Sequence, residues 1–449
     1  MNTAVADTTK TTSSALKKKF IKYLLPSVAA MWVYSIYTMV DGIFVGRGVG
    51  PTALASVNIA MPFINFIFAA SILFATGAST LIAINLGKKN YKAANSIFTI
   101  NLFSICAFSI IIMLFTYFNL ESISLALGAT ENTLPYVMDY LKIILFFNGF
   151  FMVSYCLEVL AKTDGFPYLS IIGVSLSAIT NILLDYIFVL ELDLGVKGAA
   201  YATGISQLIA TIFFIVHFTR STSNLKIIKV KYDFSILKKI LSIGFPDFIT
   251  ELTAGVVILL FNSAILKYIG ENGIVTYSVI CYVSTLVLMT MIGITQGMQP
   301  LTSYYFGKRE KKTIHQLLTL SFKSILIASI GIFVICVTIT PFIVSAFINP
   351  NETALFDYSV RAFKIYSFSF LLVGINILIS GFFASITKPA IATGISILRG
   401  FIIITLCLFT LISVFGGDSI WYATIISEAI CVIISLLLIK YKYLKFKDN

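Results

Sequence analysis

Apolar residues fill this chain in runs of about 20 or more, separated by short polar stretches. A helix rising 1.5 Å per residue needs about that length to cross the hydrocarbon core of a bilayer. Twelve such runs are readable, at roughly 21–45, 53–86, 95–118, 134–161, 166–190, 196–219, 240–268, 274–306, 316–348, 357–386, 389–415 and 419–441. The pattern predicts an all-α polytopic membrane protein with twelve transmembrane helices. Several runs exceed what a bilayer requires, which predicts tilt or helical extension beyond it.

The two halves of the pattern match each other. Leu25-Pro26 corresponds to Phe245-Pro246, Gly77 to Gly297, and Gly87-Lys88 to Gly307-Lys308, all 220 residues apart. Lys142 and Pro167 correspond to Lys364 and Pro389 at an offset of 222, and Tyr201-Ala-Thr203 to Tyr422-Ala-Thr424 at 221. Each half then holds six helices. An even number brings both halves in from the same side, as parallel repeats about an axis along the membrane normal. The expected divisions are a tail at 1–19 (disordered over Thr8–Ser14), an N-lobe at 20–219, a linker at 220–239, a C-lobe at 240–441 and a tail at 442–449. Two similar bundles suit alternating access, in which one rocks against the other around a site near the midplane.

Composition sharpens the class. The chain is 58% hydrophobic and 12% charged, with mean hydropathy +0.96, where a soluble domain carries about 25% charged residues. Most of the 32 Lys and Arg residues lie in the N-terminus, the C-terminus and the loops after helices 2, 4, 6, 8 and 10. That asymmetry predicts cytoplasmic termini in the cell membrane. The net charge of +12 is therefore a topology signal rather than a nucleic-acid signal. Residues 1–19 lack the apolar core of a signal peptide. The six cysteines are scattered through predicted helices without CxxC spacing and read as packing residues.

Charges inside the apolar runs are the candidate chemistry, because an ionised group at bilayer depth usually marks an ion, proton or substrate path. Six acids qualify: Asp41, Glu158, Asp185, Asp247, Glu251 and Glu428. Asp41 in helix 1 and Asp185 in helix 5 fall at similar depth in the outer half. Asn181 stands four residues before Asp185, on the same helix face. Thr203 in helix 6 lies at the same level. These four oxygen-bearing side chains can hold a hard cation such as Na+, or the two acids can hold a proton between them. The alternative is an inert interhelical hydrogen-bond cluster. Glu251 in helix 7 and Arg399 in helix 11, the only basic residue placed deep in a helix, each need a partner and can pair with one another. Otherwise Glu251 lines a solvated cavity or meets substrate. Glu158, Glu251 and Arg399 are candidates for substrate contact or gating. Pro26 interrupts helix 1 below Asp41 as a hinge or a static kink. Aromatic residues are 14% of the chain. Those clustered at Trp32, Tyr34 and Tyr37, and at Phe146, Phe147, Phe150, Phe151 and Tyr155, would suit flat lipophilic cations.

These segments resemble the multidrug and toxic compound extrusion (MATE) family. Val40-Asp-Gly-Ile-Phe-Val-Gly46 looks like its helix-1 signature. Asn181-Ile-Leu-Leu-Asp185, followed by Leu194-Gly-Val-Lys-Gly-Ala-Ala200, looks like the helix 5–6 signature of the bacterial DinF-like branch and its MepA-type exporters. Leu157-Glu-Val-Leu-Ala-Lys-Thr-Asp-Gly165 fits the same branch. The resemblance implies a V-shaped exporter of two six-helix lobes, driven by Na+ or H+, whose N-lobe cation site uses the positions of Asp41, Asn181, Asp185 and Thr203. Other branches carry an essential glutamate on helix 7, where this chain has Ala254, with Glu251 one turn earlier. A C-lobe cation site is therefore not carried over.

The leading expectation is a secondary exporter, working as a monomer in the lipid bilayer and conferring drug resistance. It antiports lipophilic organic cations against Na+ or H+ and needs no other cofactor. A flippase for lipid-linked saccharides is the first alternative, although it would want a cationic cavity. A membrane-embedded transferase is the second. It would want DDxxD, a mid-membrane histidine or a metal cluster, whereas His217 and His315 lie near helix ends and no Walker A motif occurs.

Overall fold

The computed structural model describes residues 13–443, so the expectations for 1–12 and 444–449 lie outside the described residues. Twelve helices are long and apolar enough to span a membrane. The first six are α1 (Ser13–Gly46), α2 (Thr52–Gly87), α3 (Tyr91–Phe118), α4 (Leu134–Thr163), α5 (Tyr168–Glu191) and α6 (Gly195–Thr219). The second six are α7 (Phe234–Tyr268), α8 (Glu271–Gly307), α9 (Lys311–Thr338), α10 (Thr353–Ser385), α11 (Pro389–Phe415) and α12 (Gly417–Tyr443). The hydropathy pattern located every span. Its clearest misplacement is helix 9, drawn to residue 348. The helix ends at Thr338, and a short separate helix, Thr340–Ser345, follows with Pro341 near its start, where a ring without an N–H fits. Ser13 and Ser14, expected in a disordered tail, are the first residues of α1.

The repeat is visible in the turns. Left-handed backbone recurs at matching places: Gly50 and Gly270 (φ 113° and 98°), Lys89 and Arg309 (59° and 60°), Gly165 and Thr387 (102° and 58°), and Gly195 and Gly416 (60° and 80°). Each pair is 220 to 222 residues apart, the offset of the sequence matches. Such φ values are uncommon outside glycine, so their recurrence reflects one loop architecture used twice.

The halves meet through α1, α2, α7 and α8, and glycine lets the backbones touch. A Cβ on Gly87 would lie 2.1 Å from the Tyr304 carbonyl oxygen, and one on Gly307 would lie 2.1 Å from that of Ile84. Ile84 and Tyr304 are themselves repeat equivalents, so α2 and α8 cross symmetrically. Gly77 approaches Ile240 and Gly244 approaches Leu73 in the same way, joining α2 to α7. These contacts close the end of the bundle that carries the basic segments, here called the basic end. The lobes also exchange their first turns. Leu16, Phe20 and Tyr23 of α1 pack in the core of the second half, and Ile240 of α7 packs in that of the first.

Candidate functional site

α5 buries one face: Ser170, Gly173, Ser177, Asn181 and Asp185, with Ala178 beside Ser177, at steps of three or four residues. The face is small and polar, the kind that packs closely in lipid and bonds between helices. It lies against α1 and α6. At its outer end Asp185 and Asn181 are fully buried, and Asp41 of α1 is 6% exposed. The carboxyl groups of Asp41 and Asp185 are close enough to influence each other's charge. Asn181 Nδ2 donates to Thr203 Oγ1 of α6 at 3.4 Å. The four residues selected by depth and spacing thus stand together, with Tyr37 and Tyr140 near the two acids. Immediately after Asp185 the helix widens into a π turn, Tyr186–Glu191, a distortion common at functional sites and not signalled by the sequence pattern.

Four oxygens at this site lack donors among the described residues. Asp41 Oδ1, both carboxyl oxygens of Asp185 and Asn181 Oδ1 are buried without a hydrogen-bond donor among the described residues. Buried polar atoms are nearly always satisfied, and two facing carboxyl oxygens bond each other only when one holds a proton. The donor set is all oxygen, which fits a proton or a hard monovalent cation rather than a soft metal.

The remaining sites differ from expectation in two respects. Arg399 does not pair with Glu251. Its Nε donates to Glu428 Oε1 of α12 at 2.7 Å, and Asn376 of α10 donates to Glu428 Oε2 at 2.7 Å. Arg399 sits in a second π turn, Leu398–Ile402. Glu251 instead lines a cavity with Asp247, Gln296, Gln299, Asn376 and Arg399, and it has no ion-pair partner among the described residues. Asp247 faces Gln299 at 3.4 Å and Thr76 of α2.

Nor is Arg399 the only basic residue deep in a helix. Lys162, assigned to a loop because helix 4 was drawn to end at 161, is 0% exposed within α4. Its ammonium lies 3.0 Å from Glu158 Oε1 and donates to Gln296 Oε1 of α8 at 3.0 Å. Glu158 also accepts a short hydrogen bond from Ser170. The signal was available, because Lys162 follows Glu158 by four residues. Lys162 lies one residue past the end of the apolar run.

A second, smaller cavity lies within the first half and is lined by Tyr34, Tyr37, Phe151, Tyr155, Glu158 and Gln207 among others. Tyr34 stacks on Phe68 with centroids 5.3 Å apart. The aromatic clusters divide accordingly: Tyr34, Tyr37, Phe151 and Tyr155 face this space, whereas Phe146 is 69% and Trp32 48% exposed on the surface. Pro26 lies inside a continuous α1, between the turns that pack in the second half and Asp41.

The sequence model of the MatE family matches residues 26–187 and again 246–409, two matches that begin 220 residues apart. The chain is 28% identical over 432 residues to the multidrug export protein MepA of Staphylococcus saprophyticus, covering 95% of this chain and 94% of that one. It is 27% identical over 436 residues to MepA of Staphylococcus aureus strain N315, with the same coverage. Its fold is similar to a solved structure described as the outward-facing conformation of a multidrug resistance MATE family transporter of the MOP superfamily. That similarity has a TM-score of 0.92, 20% identity, and coverage of 99% of this chain and 100% of that one. With two repeats that each match its model and span most of the chain, this protein belongs to the MatE family.

Proposed function

We propose that this protein is a secondary multidrug exporter that moves lipophilic organic cations out across the cell membrane in exchange for Na+ or H+. The observation that carries the reading is the cluster of buried, donor-less oxygens on Asp41, Asn181 and Asp185, with Thr203 at its edge. An incoming cation or proton neutralises the facing carboxylates. On its departure they repel, and α1 moves relative to α5 and α6. Pro26 removes one backbone bond in α1 and is the hinge for that movement. Its repeat equivalent, Pro246, stands in α7.

Substrate binds in the two cavities, whose acids attract a cation and whose rings fit its flat apolar body. Glu251 and Asp247 face it in one cavity, Glu158 at the wall of the other. The buried cations do not reverse this polarity, since Lys162 and Arg399 are each paired with a glutamate. That balance favours a cationic cargo over an anionic lipid-linked saccharide. The family match and the export function named for the staphylococcal relatives support the same reading. Both lobes come from one chain, which suits action as a monomer. The basic end faces the cytoplasm, with both termini. A one-for-one exchange of monovalent cations moves no net charge, so the concentration gradient of the coupling ion drives it: each tenfold gradient is worth about 1.4 kcal/mol and can concentrate the cargo outward about tenfold.

Dye efflux from cells or proteoliposomes tests the proposal. Asp41→Asn and Asp185→Asn are expected to reach the membrane and to lose efflux. Wild-type efflux rates in both would overturn it.

A further inference from the structure

Lys162 takes no part in the exchange just proposed, yet it is a fully buried cation at the boundary between the lobes. Two of its contacts have different characters. Glu158 lies one turn away on the same helix, at 3.0 Å, and is held from the other side by Ser170 of α5. This group moves as a unit with the first lobe. Gln296 belongs to α8 of the other lobe. It accepts from Lys162 Nζ at 3.0 Å and donates from Nε2 to the Tyr155 hydroxyl, also at 3.0 Å. One amide therefore bonds two residues of α4 at once, with both its donor and its acceptor used across the interface.

The position is as informative as the bonds. Gln296 lines the larger cavity, and Tyr155 and Glu158 line the smaller one. On the same helix Gly297, Gly307 and Tyr304 make the backbone-to-backbone contacts with α1 and α2 that close the basic end. The amide thus stands where the two cavities meet, above that closed seam.

The geometry points to a gating latch: Lys162 and Tyr155 of α4 clasp Gln296 of α8 and hold the basic end shut, and this clasp must open before substrate can enter from that side. The inference rests on the alternating-access reading for its purpose but not for its test. When the lobes part, Gln296 leaves while Glu158 stays, so Lys162 remains neutralised in the open state. A buried cation without that intralobe partner would oppose opening, because the bare charge would be costly. The pairing of one fixed and one releasable partner suits a switch.

Spin labels on Lys92→Cys and Lys312→Cys would read the latch directly. Both positions are exposed, at the first turns of α3 and α9 on the basic end, and they are repeat equivalents. Distances are measured by electron–electron resonance in the full-length protein in lipid nanodiscs. Gln296→Leu is expected to raise the ratio of long to short distances by about ten- to a hundredfold, the scale of one charge-assisted hydrogen bond. Gln296→Glu keeps the shape and adds charge opposite Lys162, so it should lower that ratio. Opposite shifts are not expected from a residue that only packs. Unchanged distributions, or shifts in one direction for both variants, would overturn the latch. If distances shift as expected while wild-type protein exports no organic cation, the latch stands and the proposed cargo falls.

Discussion

The outer site of the first half and the Arg399 cluster of the second half are built from similar material and behave oppositely. Both bury carboxylates between helices of a six-helix lobe. In the second half Glu428 is saturated: Arg399 bonds one oxygen and Asn376 the other, and Ser435 in turn donates to Asn376 at 3.0 Å. In the first half one oxygen of Asp41 and both of Asp185 are buried with no donor among the described residues. The repeat equivalent of Glu428 is Gln207, which accepts from Ser154 at 2.7 Å and donates to Ser177 at 3.3 Å. Duplication copied the scaffold, and the charges then diverged. A buried charge whose partners are supplied by the fold is a fixture, whereas one whose partners are missing is available for exchange.

Five single substitutions and one double variant would break or sharpen that contrast. The largest effect is expected at Asp41 and Asp185. Replacing either with Asn should reduce gradient-driven efflux to background in a dye assay. Thermal stability should hold, because one of two facing like charges has been removed. Next is Arg399→Met, which strands Glu428 in the second lobe. Unfolding in detergent should show a loss of about 3 kcal/mol or more. The double variant Arg399→Met/Glu428→Leu should recover most of it, since neither charge is then left unpaired. If the single variant unfolds like wild type, the second cluster is not a fixture.

Smaller effects are expected around the first site. Thr203→Val removes one oxygen and leaves both acids. It should weaken coupling-cation binding about tenfold, or ~1.4 kcal/mol, seen as a shift in the cation concentration that half-saturates efflux. Glu251→Gln keeps the cavity and removes one charge facing it. It should raise KM for a cationic dye several-fold with little change in maximal rate, as expected for lost uniform binding. An unchanged KM would place Glu251 outside the substrate's reach.

Much of this arrangement was legible in the sequence. Apolar run length fixes spans in lipid, because the backbone has no other way to satisfy its bonds there. The four-residue spacing of Asn181 and Asp185, with helix direction, was enough to set them level with Asp41. The choice of partner between distant helices was not legible. Glu251, Glu428 and Arg399 are all buried or half-buried ions of the second half, and depth alone does not distinguish Glu251 from Glu428 as the arginine's partner. Lys162 escapes the hydropathy pattern because the apolar run ends at residue 161 while the helix continues to Thr163. The π turns after Asp185 and around Arg399 leave no mark on hydropathy, and the exchange of first turns between lobes depends on glycine contacts that no single segment reveals.

The central claim is that the Asp41–Asp185 pocket trades one cation for another. Ethidium transport by purified protein in proteoliposomes, under sodium and pH gradients imposed separately, tests it most directly. The account predicts dye movement driven by at least one gradient in wild type and by neither in Asp41→Asn. Equal gradient-driven transport by wild type and Asp41→Asn, or none under either gradient in wild type, would contradict it.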